Sequence, residues 1–345
     1  MRRYLLAASV VCGVMAASGQ SQRNDARLSV LLFGDVNLGR YVGQQLVRGD
    51  LQYPFAFVSD TLRRYDIVFA NLESQLSDQN GETQHPKYNL IFTGPPAGAR
   101  ALSMANVAVV STANNHAFDY GFRGERETLL HLGAEGIAAT GTSFDSVGGA
   151  LPAIVERNGL RIAFLAYTEF VNIAGGWRGR IALYDSVQCR KDIEAIRGAV
   201  DFVVVSYHGG AEYSDKPTQR ARRAFEASIE AGADLVVGHH PHYVQGVELY
   251  RGKPIFYSLG NFVFYQPQRE QAGFGLGICL GLAMRSGTVT VESVRLVPVR
   301  AGLQPTLTLS DEERRSFVER LRKLSPAELS EQHGNWFVHF PNSYE

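Results

Sequence analysis

The sequence predicts an α/β sandwich folded as one domain, and two patterns carry that expectation. From Leu28 to Val237 short apolar runs of strand length alternate with stretches of helical periodicity, and after residue 255 the runs follow one another without helices between them. Alternation of the first kind builds parallel strands, and the closing succession builds antiparallel hairpins toward the C-terminus. A third observation concerns function. The apolar runs end on Asp, Glu, Asn and His, residue types that bind metals or move protons.

Composition sets broad limits. Of 345 residues, 45% are hydrophobic and 20% charged, which is ordinary for a globular chain. Lys and Arg number 34 and so do Asp and Glu, so no net basic field exists to hold nucleic acid. The first 20 residues follow a different logic. Arg2 and Arg3 precede an apolar stretch from Tyr4 to Ala17, which the small residues Ala16, Ala17, Ser18 and Gly19 close. That is the order of a secretory signal peptide, the alternative being an uncleaved N-terminal anchor. The protein is therefore expected to be exported, either periplasmic or secreted, or held at the membrane by this segment. Cys12 lies inside the apolar run without the leucine and small residue of a lipidation site. Cys189 and Cys279 have no framework spacing and read as buried thiols. No later segment reaches the roughly 18 consecutive apolar residues of a membrane-spanning helix.

The elements follow in order. Leu28 to Phe33 is a buried strand closed by Gly34 and Asp35. Residues 40–65 carry helical periodicity broken at Pro54, and residues 66–70 form a second strand that leads to Asn71-Leu72-Glu73. Residues 77–98 are polar and rich in Pro and Gly, so they read as an irregular excursion. A helix over 95–105 leads to a strand over 107–111, which ends at Asn114-Asn115-His116. A helix over 125–136 and a short strand over 137–139 come next. Asn158-Gly159 between the runs 153–157 and 160–167 is a strong hairpin signal. A helix over 192–200, a strand over 201–206 leading to His208, a helix over 218–231 and a strand over 235–237 complete the alternating part. The runs 255–265, 274–284 and 287–299 read as an antiparallel set, and Ser310 caps a helix over 311–324.

Residues 234–264 dominate the chemistry. An apolar run ends at Gly238, and His239, His240 and His242 follow. Asp35, Glu73, Asn115, His208, His240 and His242 all lie just past predicted strands. Sheets of the α/β kind bind ligands at the carboxyl ends of their strands. Imidazoles mixed with carboxylates suit manganese, zinc or iron, whereas calcium takes oxygen alone. One or two such divalent ions are the expected cofactor.

Singly, each residue has a structural explanation. Asp35 suits a turn or helix N-cap, Asn114 and Asn115 suit turns, His116 suits a satisfied loop histidine, and Glu73 a solvated acid. Three imidazoles in four residues exceed what packing requires, and the six positions together carry the metal reading. His240 and His242 are preferred as ligands, because a one-residue gap points both imidazoles the same way from an extended backbone. Tyr207, Tyr213, Trp177 and the aromatics from Phe256 to Tyr265 read as packing before they read as a substrate groove. Arg40, Lys87 and Arg123 lie near these segments, where they either meet an anionic substrate or are solvated.

The stretches GDVNLGR (34–40), NLES (71–74), ANNHAFDYG (113–121), YHGGAEY (207–213) and GHHPHYVQGVELYRGKPIFYSLGNFVF (238–264) resemble the capsule-synthesis CapA family, also called poly-γ-glutamate biosynthesis proteins. That family is similar to calcineurin-like metallophosphoesterases, and the resemblance covers roughly residues 28–300. It implies a metallophosphatase-like α/β/β/α sandwich with mixed sheets over residues 27–300, with 301–345 as an extension packing on the domain. It also implies metal ligation by Asp35, Glu73, Asn115, His208, His240 and His242, with His116 as the catalytic proton donor. Asn37, Asn114, His239 and Asn261 become supporting residues or alternate ligands.

The chain departs from the metallophosphoesterase pattern at Asn37, where a histidine ligand is expected, and at Glu73, where an aspartate bridges. An amide oxygen is a poorer zinc ligand than imidazole. One ion could then be loosely held, or the chemistry could run on one. The function implied is capsule or poly-γ-glutamate synthesis or export with a metal-dependent hydrolase site. The partners implied are an anionic polymer such as poly-γ-glutamate or a capsule precursor, and a membrane-bound synthesis or export complex. Two rival readings stand beside it: a non-catalytic polymer-binding assembly factor, and a secreted phosphoesterase unconnected with capsule.

Overall fold

The computed structural model describes residues 26–144 and 151–340. The expected signal segment and Cys12 lie outside the described residues. Strand β1 (Arg27–Val36) leads into helix α1 (Arg40–Val47), and β2 (Ile67–Leu72) follows. Helix α2 (Ala97–Met104), β3 (Val107–Ser111), α3 (Gly121–Ala134) and β4 (Ala138–Thr140) come next. The chain continues through β5 (Ala153–Arg157), β6 (Leu160–Thr168), α4 (Ser186–Arg197), β7 (Phe202–His208), α5 (Gln219–Glu230) and β8 (Leu235–His239). It then runs through β9 (Val247–Tyr250), β10 (Lys253–Phe256), β11 (Asn261–Val263), β12 (Phe274–Arg285) and β13 (Thr288–Arg300). Helix α6 (Asp311–Leu324) and a hairpin of β14 (Leu329–Gln332) and β15 (Asn335–Val338) follow.

Two mixed sheets result. In the first the order is β14-β15-β13-β12-β1-β2-β3-β4, with β11 also paired to β1. In the second it is β9-β10-β8-β7-β6-β5. Strands β1 to β4 run parallel, as do β6, β7, β8 and β10, while the β12–β13 pair is antiparallel. Alternation within each strand explains the layers. Leu28, Val30 and Leu32 of β1 join Ile162, Phe164, Val204, Leu235 and Val237 between the sheets. Their neighbours Leu31 and Phe33 face Val42 and Leu46 of α1 and Leu102 of α2. On the far side Leu165, Val203 and Val205 meet Ile193 of α4 and Phe225 and Ile229 of α5. A period of two sends successive side chains to opposite faces, so each sheet carries helices on its outer face. The architecture is an α/β/β/α sandwich.

The stacked pair Phe69–Phe164, with centroids 5.3 Å apart, spans the two sheets. Phe164→Ala should therefore cost about 3–5 kcal/mol through lost burial and a residual cavity, checked by urea unfolding. A cost below about 1 kcal/mol would mean the inter-sheet core is not packed this way.

Local signals placed several boundaries. Asn158 and Gly159 take φ of 52° and 78°, as a two-residue hairpin turn requires. Ser310 and Glu313 form a reciprocal capping box on α6. Other expectations need correction. Residues 255–265 are not one strand of an antiparallel set. The run divides into β10, parallel to β8, and β11, parallel to β1, with Gly260 at φ 64° between them. An apolar run buried throughout cannot show that it changes sheets. The irregular excursion contains the pair Thr93–Gly94, which ladders with Gln75–Leu76. The helix expected over 192–200 starts earlier, because Asp185 accepts hydrogen bonds from the amides of Val187 and Gln188. The helical region 40–65 breaks into α1, a 3-10 turn at Tyr53–Phe55 and one helical turn at Ser59–Leu62. Past residue 300, α6 buries Phe317, Val318 and Leu321 in the inter-sheet core, and the β14–β15 hairpin extends the first sheet. Cys189 is buried and Cys279 half-buried, and both are free thiols. Among the described residues no helix is long and apolar enough to cross a membrane.

Candidate metal centre

The carboxyl ends of five strands meet at one place. Asp35 lies in β1, Glu73 follows β2, Asn115 lies in the turn after β3, and His208 and His239 end β7 and β8. Parallel pairing aligns Asp35 with Asn71 on one side and Asn261 on the other, and aligns His208 with His239. Close approach is built in. A Cβ on Gly34 would lie 1.8 Å from the Gly260 oxygen, so only glycine lets this part of β1 lie against the crossing between the sheets.

Asp35 is fully buried at the centre of the cluster. Asn71 Nδ2 donates to Asp35 Oδ1 at 2.8 Å and stands 3.2 Å from His208 Nδ1. The other face of that ring is set by Asn115, whose Oδ1 lies 2.7 Å from His208 Nε2. An amide oxygen only accepts, so Nε2 carries the proton, and Nδ1 accepts from Asn71. Asn71 was not among the residues singled out from sequence, although it lies two positions from Glu73.

The imidazoles crowd around Asp35. His239 Nδ1 is 3.4 Å from Asp35 Oδ1, and His242 Nδ1 is 3.3 Å from Asp35 Oδ2. Burial pushes the Asp35 carboxyl up, but His239 and His242 outweigh it and hold it well below the usual range. Burial and the Asp35 charge push Glu73 well above its usual value. Burial, then the neighbouring His240, pushes His208 well down, and burial with His242 takes His240 to about 3.

The expectation that His240 and His242 project from an extended backbone is not met. Strand β8 ends at His239, and His240 and His242 have φ of 96° and 57°. Pro241 lies between them in a turn whose carbonyl accepts from the Tyr213 amide at 2.8 Å. The turn still brings both rings to the centre, with His240 5.0 Å from His208 and His242 Nε2 3.8 Å from Glu73 Oε1. Asn261 Nδ2 donates to Gln266 and to the Ala272 carbonyl, so its Oδ1 accepts from His242 Nδ1 at 2.9 Å. That leaves the Nε2 lone pair of His242 facing Glu73.

The donor set fits a divalent metal. Asp35, Glu73 and His208 present ligand atoms within 4.8 Å of one another. Glu73 Oε2, His240 Nδ1 and both ring nitrogens of His239 are buried without a hydrogen-bond partner. Buried polar atoms are normally satisfied, and oxygen and imidazole atoms left unpaired around one point are what an ion would satisfy.

His116 has partners of its own. Its Nδ1 lies 2.7 Å from Asp119 Oδ2, which also accepts from the Phe92 amide at 2.7 Å. A carboxylate accepts only, so Nδ1 donates and Nε2 faces Glu73 Oε1 at 3.9 Å. Phe92 stacks on the His116 ring at 4.0 Å. Neither Asp119 nor Phe92 was singled out from sequence, though Asp119 is part of the 113–121 stretch. Asn114 is a brace, because its Oδ1 accepts from the His116 amide and its Nδ2 donates to the Leu72 carbonyl. Tyr207 and Phe256 belong to the cores, as expected, whereas Phe170 packs edge-on against His240.

These shifts set a pH dependence for the metal-free protein. Below an unfolded value near 6.5, unfolding allows His208 and His240 to take up protons that the fold refuses, so stability falls with pH. For His240, held at about 3, this is worth about 2 kcal/mol at pH 5. Glu73 runs the other way, since its raised value lets the fold take up a proton first. Between about pH 7 and 5 the Glu73 contribution opposes that of the two imidazoles. His240→Asn should lessen the loss of stability between pH 7 and 5 in urea titrations at the two pH values, and an unchanged pH dependence would contradict the assignment.

The bacterial capsule synthesis protein family PGA_cap matches residues 29–266. The chain is 33% identical over 272 residues to the capsule biosynthesis protein CapA of Bacillus anthracis, covering 76% of this chain and 66% of that protein. It is 34% identical over 252 residues to the PGA biosynthesis protein CapA of Bacillus subtilis (strain 168), covering 70% and 65%. The chain thus spans just under two thirds of each relative's length. The crystal structure of the calcineurin-like phosphoesterase YfkN from Bacillus subtilis superposes with a TM-score of 0.46 at 12% identity, covering 87% of this chain and 99% of that one. From the matched span and the two identities, the chain belongs to the bacterial capsule synthesis protein family PGA_cap.

Proposed function

We propose that this protein is an exported, metal-dependent hydrolase acting on an acidic capsule polymer of the poly-γ-glutamate type during its synthesis or export. The observation that carries the reading is the convergence of Asp35, Glu73 and His208 beside a histidine whose proton is placed by Asp119. Asp35, Glu73, His208, His240 and His242 would hold one or two divalent ions. An ion bound there would lower the pKa of water and polarise a carbonyl or phosphoryl group.

The chain's own residues do the rest. Asp119 keeps His116 Nδ1 protonated and directs Nε2 toward the centre, where a protonated ring gives its proton to the leaving atom. Asn115 keeps the proton on His208 Nε2, and an ion held by Nδ1 would take the place of the Asn71 contact there. Asn261 fixes the His242 tautomer. Orienting partners of this kind support ligand basicity and geometry. Phe170 packs edge-on against His240, and Phe92 stacks on His116.

The test is turnover of a γ-glutamyl oligomer and of a phosphate-ester panel by purified protein, with manganese or zinc and with chelator. Metal-dependent cleavage of the oligomer supports the reading. Ester cleavage alone supports a phosphoesterase outside capsule metabolism. Asn37 favours one other reading, a non-catalytic polymer-binding factor, because it replaces an expected histidine ligand and spends its oxygen on the Gly39 amide at 2.8 Å. Oligomer binding that survives chelation, with no turnover of either substrate class, would establish that reading instead.

A further inference from the structure

A cavity of about 470 Å³ opens beside the metal centre, lined by Asn37, Arg40, Gln44, Gln84, Phe264 and Tyr265 among others. Phe264 forms the partition, packing on His242 at 4.9 Å and on Phe92 at 5.8 Å. Two donors on this wall lack the partners such groups normally have. Asn37 is 6% exposed, and its Oδ1 accepts from the Gly39 amide. That bond fixes the amide orientation, because a peptide N–H needs an acceptor. Nδ2 is then the amide's uncommitted group, and it is buried without a hydrogen-bond partner beside the cavity that Asn37 lines.

The second donor is Arg40. Its guanidinium lies 4.7 Å from the centre of the Phe92 ring and donates to the Asn89 carbonyl. Among the described residues it forms no ion pair with a carboxylate, whereas Arg123 is paired with Glu127 at 2.7 Å. Arg40 also adopts φ of 53°. Thr83 clamps it there, with its carbonyl accepting the Arg40 amide and its hydroxyl donating to the Arg40 carbonyl at 2.9 Å. A bulky residue is held in a sparsely populated conformation only where surrounding bonds over-determine it.

We propose that Asn37 Nδ2 and the Arg40 guanidinium form an oxyanion subsite that takes a carboxylate of the acidic polymer while an adjoining bond lies at the metal centre. The proposal rests on the hydrolase reading for its substrate class. It changes the meaning of the departure at Asn37: the position that lacks a histidine ligand supplies a substrate donor instead. A neutral N–H and a planar cation together match an oxyanion, and each charge-assisted hydrogen bond favours it over a neutral amide.

The experiment is calorimetric titration of tetra-γ-glutamate, its α-carboxamide analogue and inorganic phosphate into wild-type protein, Asn37→Asp and Arg40→Gln, with metal content measured in parallel. Asn37→Asp keeps the bond to Gly39 but turns the donor into an acceptor, so it tests the subsite without depending on how Arg40→Gln folds. Each substitution should weaken tetramer binding by about tenfold or more, the effect of one such bond, with metal content unchanged. The carboxamide should bind weakly to all three proteins.

Unchanged tetramer affinity in both variants overturns the subsite, and so does higher metal content in Asn37→Asp, which would make residue 37 a ligand. Phosphate binding that depends on both residues while the tetramer does not bind overturns the carboxylate assignment. If wild-type protein takes up no metal and both variants still lose tetramer binding, the hydrolase reading fails and the subsite stands. If it takes up metal and turns over substrate while binding ignores both substitutions, the subsite alone fails.

Discussion

Asp35→Ala is expected to strip the protein of metal and of metal-dependent turnover together. Asp35 is the anion at the centre of the cluster, joined to Asn71 at 2.8 Å and close to His239 and His242 at 3.4 and 3.3 Å. Its carboxyl lies well below the usual range, so it is ionised at any pH at which the neighbouring imidazoles are free to bind an ion. Loss of an outer partner costs about 10–100-fold in metal affinity, and loss of a direct ligand should exceed about 100-fold. Elemental analysis after dialysis against a fixed free-metal concentration reads the effect. Asp35→Asn should lose most of the metal as well, since it keeps the shape and the Asn71 contact but removes the charge. Wild-type metal content in both variants would remove Asp35 from the ligand set.

His116→Ala should separate catalysis from binding. The ring is tied to Asp119 through Nδ1 and stacked on Phe92, so that nitrogen is already engaged and is not left to hold an ion. Its loss should lower kcat by about 10²–10⁴, the range for a general acid, with metal content unchanged. Asp119→Asn provides the companion measurement. One carboxylate oxygen now accepts from both His116 and the Phe92 amide, and an amide in its place lacks the negative charge that favours the protonated ring. A drop of about 10–100-fold in kcat with an altered pH profile is expected for losing an orienting partner. Equal loss of metal in His116→Ala would turn this histidine into a ligand, and an unaltered kcat would remove its proton-transfer role.

Much of the site was readable because ligand-type residues follow buried strands, and in such sheets carboxyl ends converge. Asp35, Glu73, His208 and His239 all obey that rule. His240 and His242 reach the centre for another reason, a turn with two positive φ values around Pro241, which the spacing of histidines does not reveal. Asn71 is the clearest omission. Its side chain joins Asp35, 36 positions away, to His208, 137 positions away. As one polar residue inside an apolar strand it carries no local mark of that role. Asp119 gains its role only where the fold places it against both His116 and the Phe92 amide.

By itself the sequence determined the α/β alternation, the hairpin at Asn158-Gly159, the capping box at Ser310 and the residue types at strand ends. Each depends on periodicity or on bonds within a few residues. Only the tertiary structure decided that the run 255–265 crosses from one sheet to the other, that Asn37 turns its oxygen to Gly39 and leaves its N–H without a partner, and which nitrogen of His116, His208 and His242 carries the proton. Those outcomes depend on strands from two sheets packing together, since a buried polar atom takes its role from whatever partner the fold brings within hydrogen-bond distance.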